Sequence, residues 1–355
     1  MRVVVAGTAF GRIYLDAVAS DPGLTLTGVL GRGSGTTTAL AERYGVPVLH
    51  SPDDVGDDVD IACVVIGSAV NGGPGAEIAE ALLRRGIHVL QEHPLHPDEI
   101  RGCLRAARDG GAVHHVNTLY PDLAPVRTFL DAARRLRDQQ PALFVDAACS
   151  VQLLYPLLDV IGRALGAARP WAFSPPMTPP PAVVGSMRTA QPFQMLHAAV
   201  AGIPVSLRVQ NQVSPADRDN HALLTHRLAI GFEAGVLTLA DAYGPVLWNP
   251  RMHAPRDGDG RLVLDGPPDD RLDVASTELL GAEECSIYRE IFTGMWPQAV
   301  REALRRLREE IAAPASQRTT AQWGMAVSRM WADLTAELGT PEIIRPRDPR
   351  PASPV

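Results

Sequence analysis

Residues 2–11 read RVVVAGTAFG, and this stretch decides the fold. Val3–Ala6 is an unbroken apolar run, the pattern of a parallel strand buried on both faces. Gly7-Thr8-Ala9-Phe10-Gly11 follows at once, and helical periodicity runs from Gly11 to Ser20. In such a turn, backbone N–H groups can approach a pyrophosphate while the helix N-terminus adds positive potential. The usual spacing is G-x-G-x-x-G; here Ala9 replaces the middle glycine and the turn is one residue shorter. Any tight strand-to-helix turn could read this way, but its place directly behind a clean strand favours a dinucleotide site, with Gly7, Thr8, Ala9, Phe10 and Gly11 around the phosphates.

Outward from this turn, strand and helix alternate. Strands are predicted over Leu24–Leu30, Asp60–Ile66, His88–Gln91 and Ala112–Asn117. Helices are predicted over Thr36–Tyr44, Ala76–Arg85 and Pro97–Asp109. This βαβ repetition predicts a doubly wound parallel sheet over residues 1–119. The pattern then changes. Helices over Asp122–Asp138 and Leu153–Leu165 flank a strand at Ala142–Ser150, and Trp171–Pro181 reads as a proline-rich loop. Strand-like runs follow at Ile203–Gln212, Leu223–Phe232 and Val236–Ala240, then helices at Glu283–Phe292, Gln298–Ala312 and Ala321–Leu338. Residues 120–340 are therefore expected to form an α+β domain with a large, mostly antiparallel open sheet. Residues 341–355 are expected to be a flexible proline-rich tail.

Composition narrows the function. The chain has 355 residues and a formal charge of −7, with no long basic run; this argues against nucleic-acid and membrane-surface binding. No stretch is long and apolar enough to span a bilayer, and the four isolated cysteines form no disulfide framework. A cytoplasmic location is expected. All 33 basic residues are arginine, so every lysine-dependent chemistry is excluded. The histidines show no metal-ligand spacing.

The second strand end bears on the cofactor. An NAD site commonly places an acid there for the ribose 2′-hydroxyl. None occurs from Gly28 to Ala41; Arg32 and Ser34 stand there instead. An arginine attracts a 2′-phosphate, so NADP(H) is expected. Ser68, behind the third long strand, is a further candidate for the nicotinamide half, or a helix cap.

The segment QEHPLHP at 91–97 ends a strand at the same sheet edge. Glu92-His93-Pro94 occupies the slot where the glucose-fructose oxidoreductase and inositol dehydrogenase family carries Glu-Lys-Pro. Leu157–Arg163 resembles that family's Asp-x-x-x-His helix, with Asp159 kept and Arg163 at the histidine position. Both groups used in sugar-alcohol oxidation are thus replaced. Gly7-Thr8-x-Phe10-Gly11 with Tyr14, QEHPLHP, NTLYP at 117–121 and LLDVIGRALG at 157–166 together resemble the thiazolinyl imine reductases of nonribosomal siderophore pathways. This resemblance implies NADPH-dependent reduction of a thiazoline C=N on a carrier-protein-tethered intermediate, by a homodimer. It makes Tyr120 and His93 the proton-donor candidates; Glu92 and His93 also border the cofactor. A phenol is reliably protonated at neutral pH, which favours Tyr120 as donor and His93 as positioner or alternate acid. The alternation of Val205, Leu207 and Val209 with polar neighbours suggests an apolar sheet face, for a partner copy or for the chain's own helices. Competing readings are a sugar or cyclitol dehydrogenase and a non-catalytic NADP-binding protein.

Overall fold

The computed structural model describes residues 1–68, 72–217, 219–281, 285–350 and 352. The first domain contains β1 (Arg2–Ala6), α1 (Gly11–Ala19), β2 (Thr25–Leu30), α2 (Gly35–Tyr44), β3 (Val48–Leu49) and β4 (Ile61–Val64). It continues through α3 (Gly75–Arg84), β5 (His88–Glu92), α4 (Pro97–Gly110) and β6 (His114–Asn117). Its six strands run parallel in the order β3-β2-β1-β4-β5-β6. β1 is the central strand, which is why Val3–Ala6 carry no polar side chain: all four are completely buried. The order reverses between β1 and β4, and ligands of such sheets bind at the carboxyl ends of the strands flanking that switch.

The second domain holds α5 (Ala124–Arg137), β7 (Phe144–Ser150), α6 (Leu154–Leu165), β8 (Trp171–Phe173), α7 (Pro181–Ser186), β9 (Gln194–Val200) and β10 (Ile203–Gln210). It goes on with β11 (Gln212–Val213), β12 (His226–Phe232), β13 (Gly235–Leu239), β14 (Val246–Pro250) and β15 (Glu278–Leu280). Eight strands form one sheet in the order β15-β14-β13-β12-β7-β10-β9-β8, with only β7 and β10 parallel. The mostly antiparallel open sheet is as the sequence predicts. Val145, Ala147, Val205, Leu207, Val209, Leu228 and Ile230 share one continuous core with the buried faces of α5 and α6. The apolar alternation in β10 therefore serves the chain's own helices, not a partner surface. Ser206, Arg208 and Arg227 point to the open side.

The last helices are α8 (Tyr288–Glu290), α9 (Trp296–Ala312) and α10 (Pro314–Leu338), with a π turn at Ile291–Met295 joining the first two. α9 returns to pack on α1, and α10 packs on α4 and α6. Arg306 forks onto Asp122, Arg308 pairs with Asp21 at 3.1 Å, and buried Glu310 meets His115 at 2.9 Å. These bonds fasten the C-terminal helices to the dinucleotide domain and to the turn behind β6.

Three expectations are corrected. Trp171–Phe173 is an edge strand paired with β9, so only the rest of 171–181 lacks a strand. The proline-rich tail begins with a short strand, β16 (Glu342–Ile343), paired with β11. The helix expected from Glu283 begins at Tyr288; its first two residues lie outside the described residues.

Candidate active site

The cleft lies at the carboxyl edge of the parallel sheet. Gly7 follows β1 with φ +99°, and a Cβ there would sit 2.4 Å from the Val65 carbonyl oxygen behind β4. Only glycine brings the backbone this close at the switch point. Phe10 caps α1 without any side-chain bond to the first-turn N–H groups, leaving that helix end suited to an anion. Gly11 is buried as the helix's first residue, and Ala9 is exposed. The Phe10 ring does not face the phosphate side alone: it packs on Trp296 at 5.5 Å and on Tyr14 at 6.4 Å.

Ser34 caps α2, its Oγ accepting from the Thr37 amide at 3.3 Å. Thr37 Oγ1 lies 3.0 Å from Ser34 Oγ and 3.2 Å from Thr8 Oγ1, joining the turns behind β1 and β2 through three hydroxyls. Arg32, between them, is exposed and bonds to no described residue. This close backbone turn, uncapped helix and free arginine fit a dinucleotide, with the arginine toward the adenosine end. Ser68 is buried and donates to the Pro94 carbonyl at 2.9 Å, bracing the turn behind β5.

β5 ends on Glu92, and the His93–Pro94 bond is cis. His93 Nδ1 lies 2.9 Å from Glu92 Oε1 and 3.2 Å from the Asn117 carbonyl oxygen. Both partners are acceptors, so Nδ1 carries hydrogen and Nε2 is left for the cleft. Glu92 Oε2 also accepts from the Tyr14 hydroxyl, which in turn accepts from Asn117 Nδ2 at 2.6 Å. Burial first, then Glu92, pushes the Tyr14 pKa far up, so this phenol stays protonated and donating. The His93 ring stacks on Tyr155 with centroids 5.6 Å apart.

Tyr120 follows a γ-turn. Its N–H donates to the Thr118 carbonyl at 2.6 Å, and Leu119 between them sits at φ 59°, ψ −53°, a strained conformation for a branched side chain. Two clamps hold it. Asn117 Oδ1 accepts the Leu119 amide at 3.0 Å, and Thr118 Oγ1 donates to Asp159 at 2.5 Å. The turn aims Tyr120 at the second domain. Its ring lies 4.4 Å from that of His226, and its hydroxyl neighbours that of Tyr243. Burial, then Tyr243, Asp241 and Glu92, raise the Tyr120 pKa well above its ordinary value; burial lifts Tyr243 to about 12. Tyr120, itself buried, and His93 are thus tied to one another through Asn117. Asp159 and Arg163 stand one and two helical turns beyond Tyr155. Asp159 also accepts from Arg163 at 2.8 Å and Trp323 at 2.6 Å. Burial opposes its charge, but Arg163 and the three hydrogen bonds outweigh it and hold the carboxyl below its usual range. Asp159 is thereby committed to the Thr118 turn. Sequence reasoning gives no role to Tyr14, Asn117, Tyr155, His226 or Tyr243; Tyr14 and Asn117 stand inside motifs, whereas the other three are joined only by the fold.

A parallel sheet with a glycine turn at its switch point is the architecture of a dinucleotide-binding domain. Residues 1–118 match the family described as "Oxidoreductase family, NAD-binding Rossmann fold", and residues 139–249 match "Thiazolinyl imine reductase Irp3-like, C-terminal". The first third of the chain is thus similar to an NAD-binding oxidoreductase domain, and residues 139–249 to an Irp3-like C-terminal domain. No curated protein matches the chain. Among solved structures it is similar to KijD10, a 3-ketoreductase from Actinomadura kijaniata in complex with NADP and TDP-benzene. That match has TM-score 0.64 and 16% identity over 98% of this chain and 99% of that one. An oxidoreductase from Agrobacterium radiobacter in complex with NAD+, L-tartaric acid and magnesium is similar at TM-score 0.64 and 9% identity, covering 94% of each chain. The UDP-N-acetylglucosamine 3-dehydrogenase GnnA from Acidithiobacillus ferrooxidans gives TM-score 0.62 and 13% identity over 94% of this chain and 95% of that one. These likenesses establish the fold. No helix among the described residues is long and apolar enough to cross a membrane.

Proposed function

We propose that the protein is an NADPH-dependent thiazolinyl imine reductase, acting on a carrier-protein-tethered siderophore intermediate as a homodimer in the cytoplasm. One observation carries this reading. Tyr120 is a phenol able to donate a proton, His93 stands tied to it through Asn117, and the chain has no lysine to assist removal of a proton from a hydroxyl. Reduction of C=N needs a hydride on carbon and a proton on nitrogen. The Irp3-like match over 139–249 supports the same substrate class.

Gly7 through Gly11 would hold the pyrophosphate and Arg32 the 2′-phosphate, which is the ground for NADPH over NADH. When bound, NADPH supplies the hydride. Tyr120 Oη delivers the proton to the ring nitrogen as that nitrogen becomes a strong base. Tyr243, half-buried beside the Tyr120 hydroxyl, returns a proton to it from the solvent side. Glu92 and the Asn117 carbonyl fix the His93 ring, so that Nε2 can accept from a water and orient it toward the imine.

Single-turnover NADPH oxidation with a cyclic thiazoline tests the assignment. Tyr120→Phe should lose roughly 10²–10⁴-fold in rate, and His93→Asn less, with NADPH affinity nearly unchanged in both. Near-native rates in the double variant would leave solvent as the proton source. Oxidation of a polyol with NAD, without imine reduction, would replace the reading by a sugar dehydrogenase.

A further inference from the structure

The turn behind β2 is faced by a second basic side chain, which lies outside the dinucleotide motifs. β2 and β3 run parallel in the register Val29↔Val48 and Leu30↔Leu49. The Gly31 amide continues that pairing by donating to the Leu49 carbonyl at 2.9 Å. His50, the next residue, therefore leaves the sheet at its carboxyl edge, beside Gly31 and Arg32. Its backbone is fixed by the short helical turn Pro52–Asp54: the His50 and Ser51 amides both donate to Asp54 Oδ2 at 2.9 Å. Its ring lies against Gly33. A Cβ added at Gly33 would sit 3.0 Å from His50 Cε1 and 3.4 Å from Nδ1. Gly33 has φ +72°, a conformation that favours glycine, and the missing side chain leaves this face of the turn to the imidazole.

The ring has nothing else to bind. His50 is exposed, and among the described residues its ring nitrogens have neither a hydrogen-bond nor an ion-pair partner. Arg32 is in the same state. Arg32 precedes Gly33 in the chain and His50 lies against it in space, while Ser34 follows with a hydroxyl at the N-terminus of α2. A ribose hydroxyl is too small a group to engage all three. A phosphate monoester carries nearly two negative charges and three acceptor oxygens, enough for a guanidinium, an imidazole N–H and a hydroxyl together.

We propose that His50 is a specificity-determining residue for the cofactor, donating a ring N–H to the 2′-phosphate of NADPH alongside Arg32 and Ser34. This rests on the proposed function only in its choice of NADPH. An imidazole keeps an N–H donor in either protonation state, so the contact does not depend on the ring's charge. The residue comes from the strand next to β2, whereas cofactor preference is commonly read from the end of β2 itself.

Fluorescence titration with NADPH and NADH, which differ only in the 2′-phosphate, tests the assignment without turnover. The native protein should bind NADPH tighter than NADH. His50→Ala should weaken NADPH about tenfold, the scale of one hydrogen bond to a charged group, and leave NADH unchanged. His50→Gln, which keeps an N–H donor, should recover part of the loss. An equal loss on both cofactors would assign His50 to the adenosine they share, and no loss on either would leave the ring without a ligand; each result overturns the proposal. Failure of the NADPH reading has a different signature: the native protein binds the two cofactors equally before any substitution is made, and the proposal falls with it.

Discussion

His226 lies fully buried on β12 beneath the Tyr120 ring. Its Nε2 donates to the Leu153 carbonyl at 2.9 Å, and its Nδ1 is buried without a partner. Protonation would place a charge where no acceptor waits. Burial, opposed by the Leu153 carbonyl and aided by His93, pulls its pKa down to about 4, against an ordinary value near ~6.5. Above that ordinary value neither the folded nor the unfolded chain holds the proton. As pH falls further, the unfolded chain takes up a proton that the folded chain refuses. Stability therefore drops with falling pH until the folded site itself titrates, a loss of about 3 kcal/mol from this residue. His226→Phe keeps a ring against Tyr120 and removes the titration. Losing the Leu153 bond costs about 1 kcal/mol at every pH. Urea unfolding of both proteins from neutral pH to pH 4 isolates the effect, since His114, pushed down to about 3 by burial and His115, contributes equally to each. The native protein should lose about 3 kcal/mol more than the variant over this range. A stability difference that does not change with pH would refute a neutral, proton-refusing His226.

Two further outcomes are expected. Arg32→Ala should weaken NADPH by about 1–3 kcal/mol, the worth of a charge-assisted bond, and leave NADH nearly untouched by fluorescence titration; equal losses would detach Arg32 from the 2′-phosphate. Asp159→Asn removes the buried charge facing half-buried Arg163 and an acceptor shared by Thr118 and Trp323. It should cost about 3 kcal/mol in urea unfolding and lower kcat with NADPH affinity retained, whereas unchanged kcat would separate Asp159 from the placement of Tyr120.

The dinucleotide domain is legible in the sequence because its signals are local. The long strands of the parallel sheet are short apolar runs, and helices end on glycines, as at Gly45 and Gly111 in the left-handed conformation. The second sheet is only partly legible. β9 and β14 mix polar and half-buried positions, which blurs their alternation, and β15 has only three residues. Site residues divide in the same way. His93 and Tyr120 stand in compact motifs, whereas Tyr155, His226 and Tyr243 reach the cleft from three separate parts of the second domain, and no periodicity links them.

The motif Asn117-Thr118-Leu119-Tyr120 explains how a strand end of one domain can place a proton donor against the wall of another. Continued as a strand, the chain would send alternate side chains to opposite faces of the sheet. The γ-turn at Leu119 breaks that alternation at a cost of about 1–3 kcal/mol. Such a turn persists only where its surroundings over-determine it, and here each preceding side chain supplies a hold. Asn117 binds the Leu119 amide with one end and the Tyr14 hydroxyl with the other, tying the turn to Glu92 and hence to His93. Thr118 binds Asp159, tying it to α6 and to Trp323 of α10. The two candidate donors are therefore set by one hydrogen-bonded frame spanning both domains. The buried Asp159 charge lies outside the reacting position and acts on the turn that aims Tyr120.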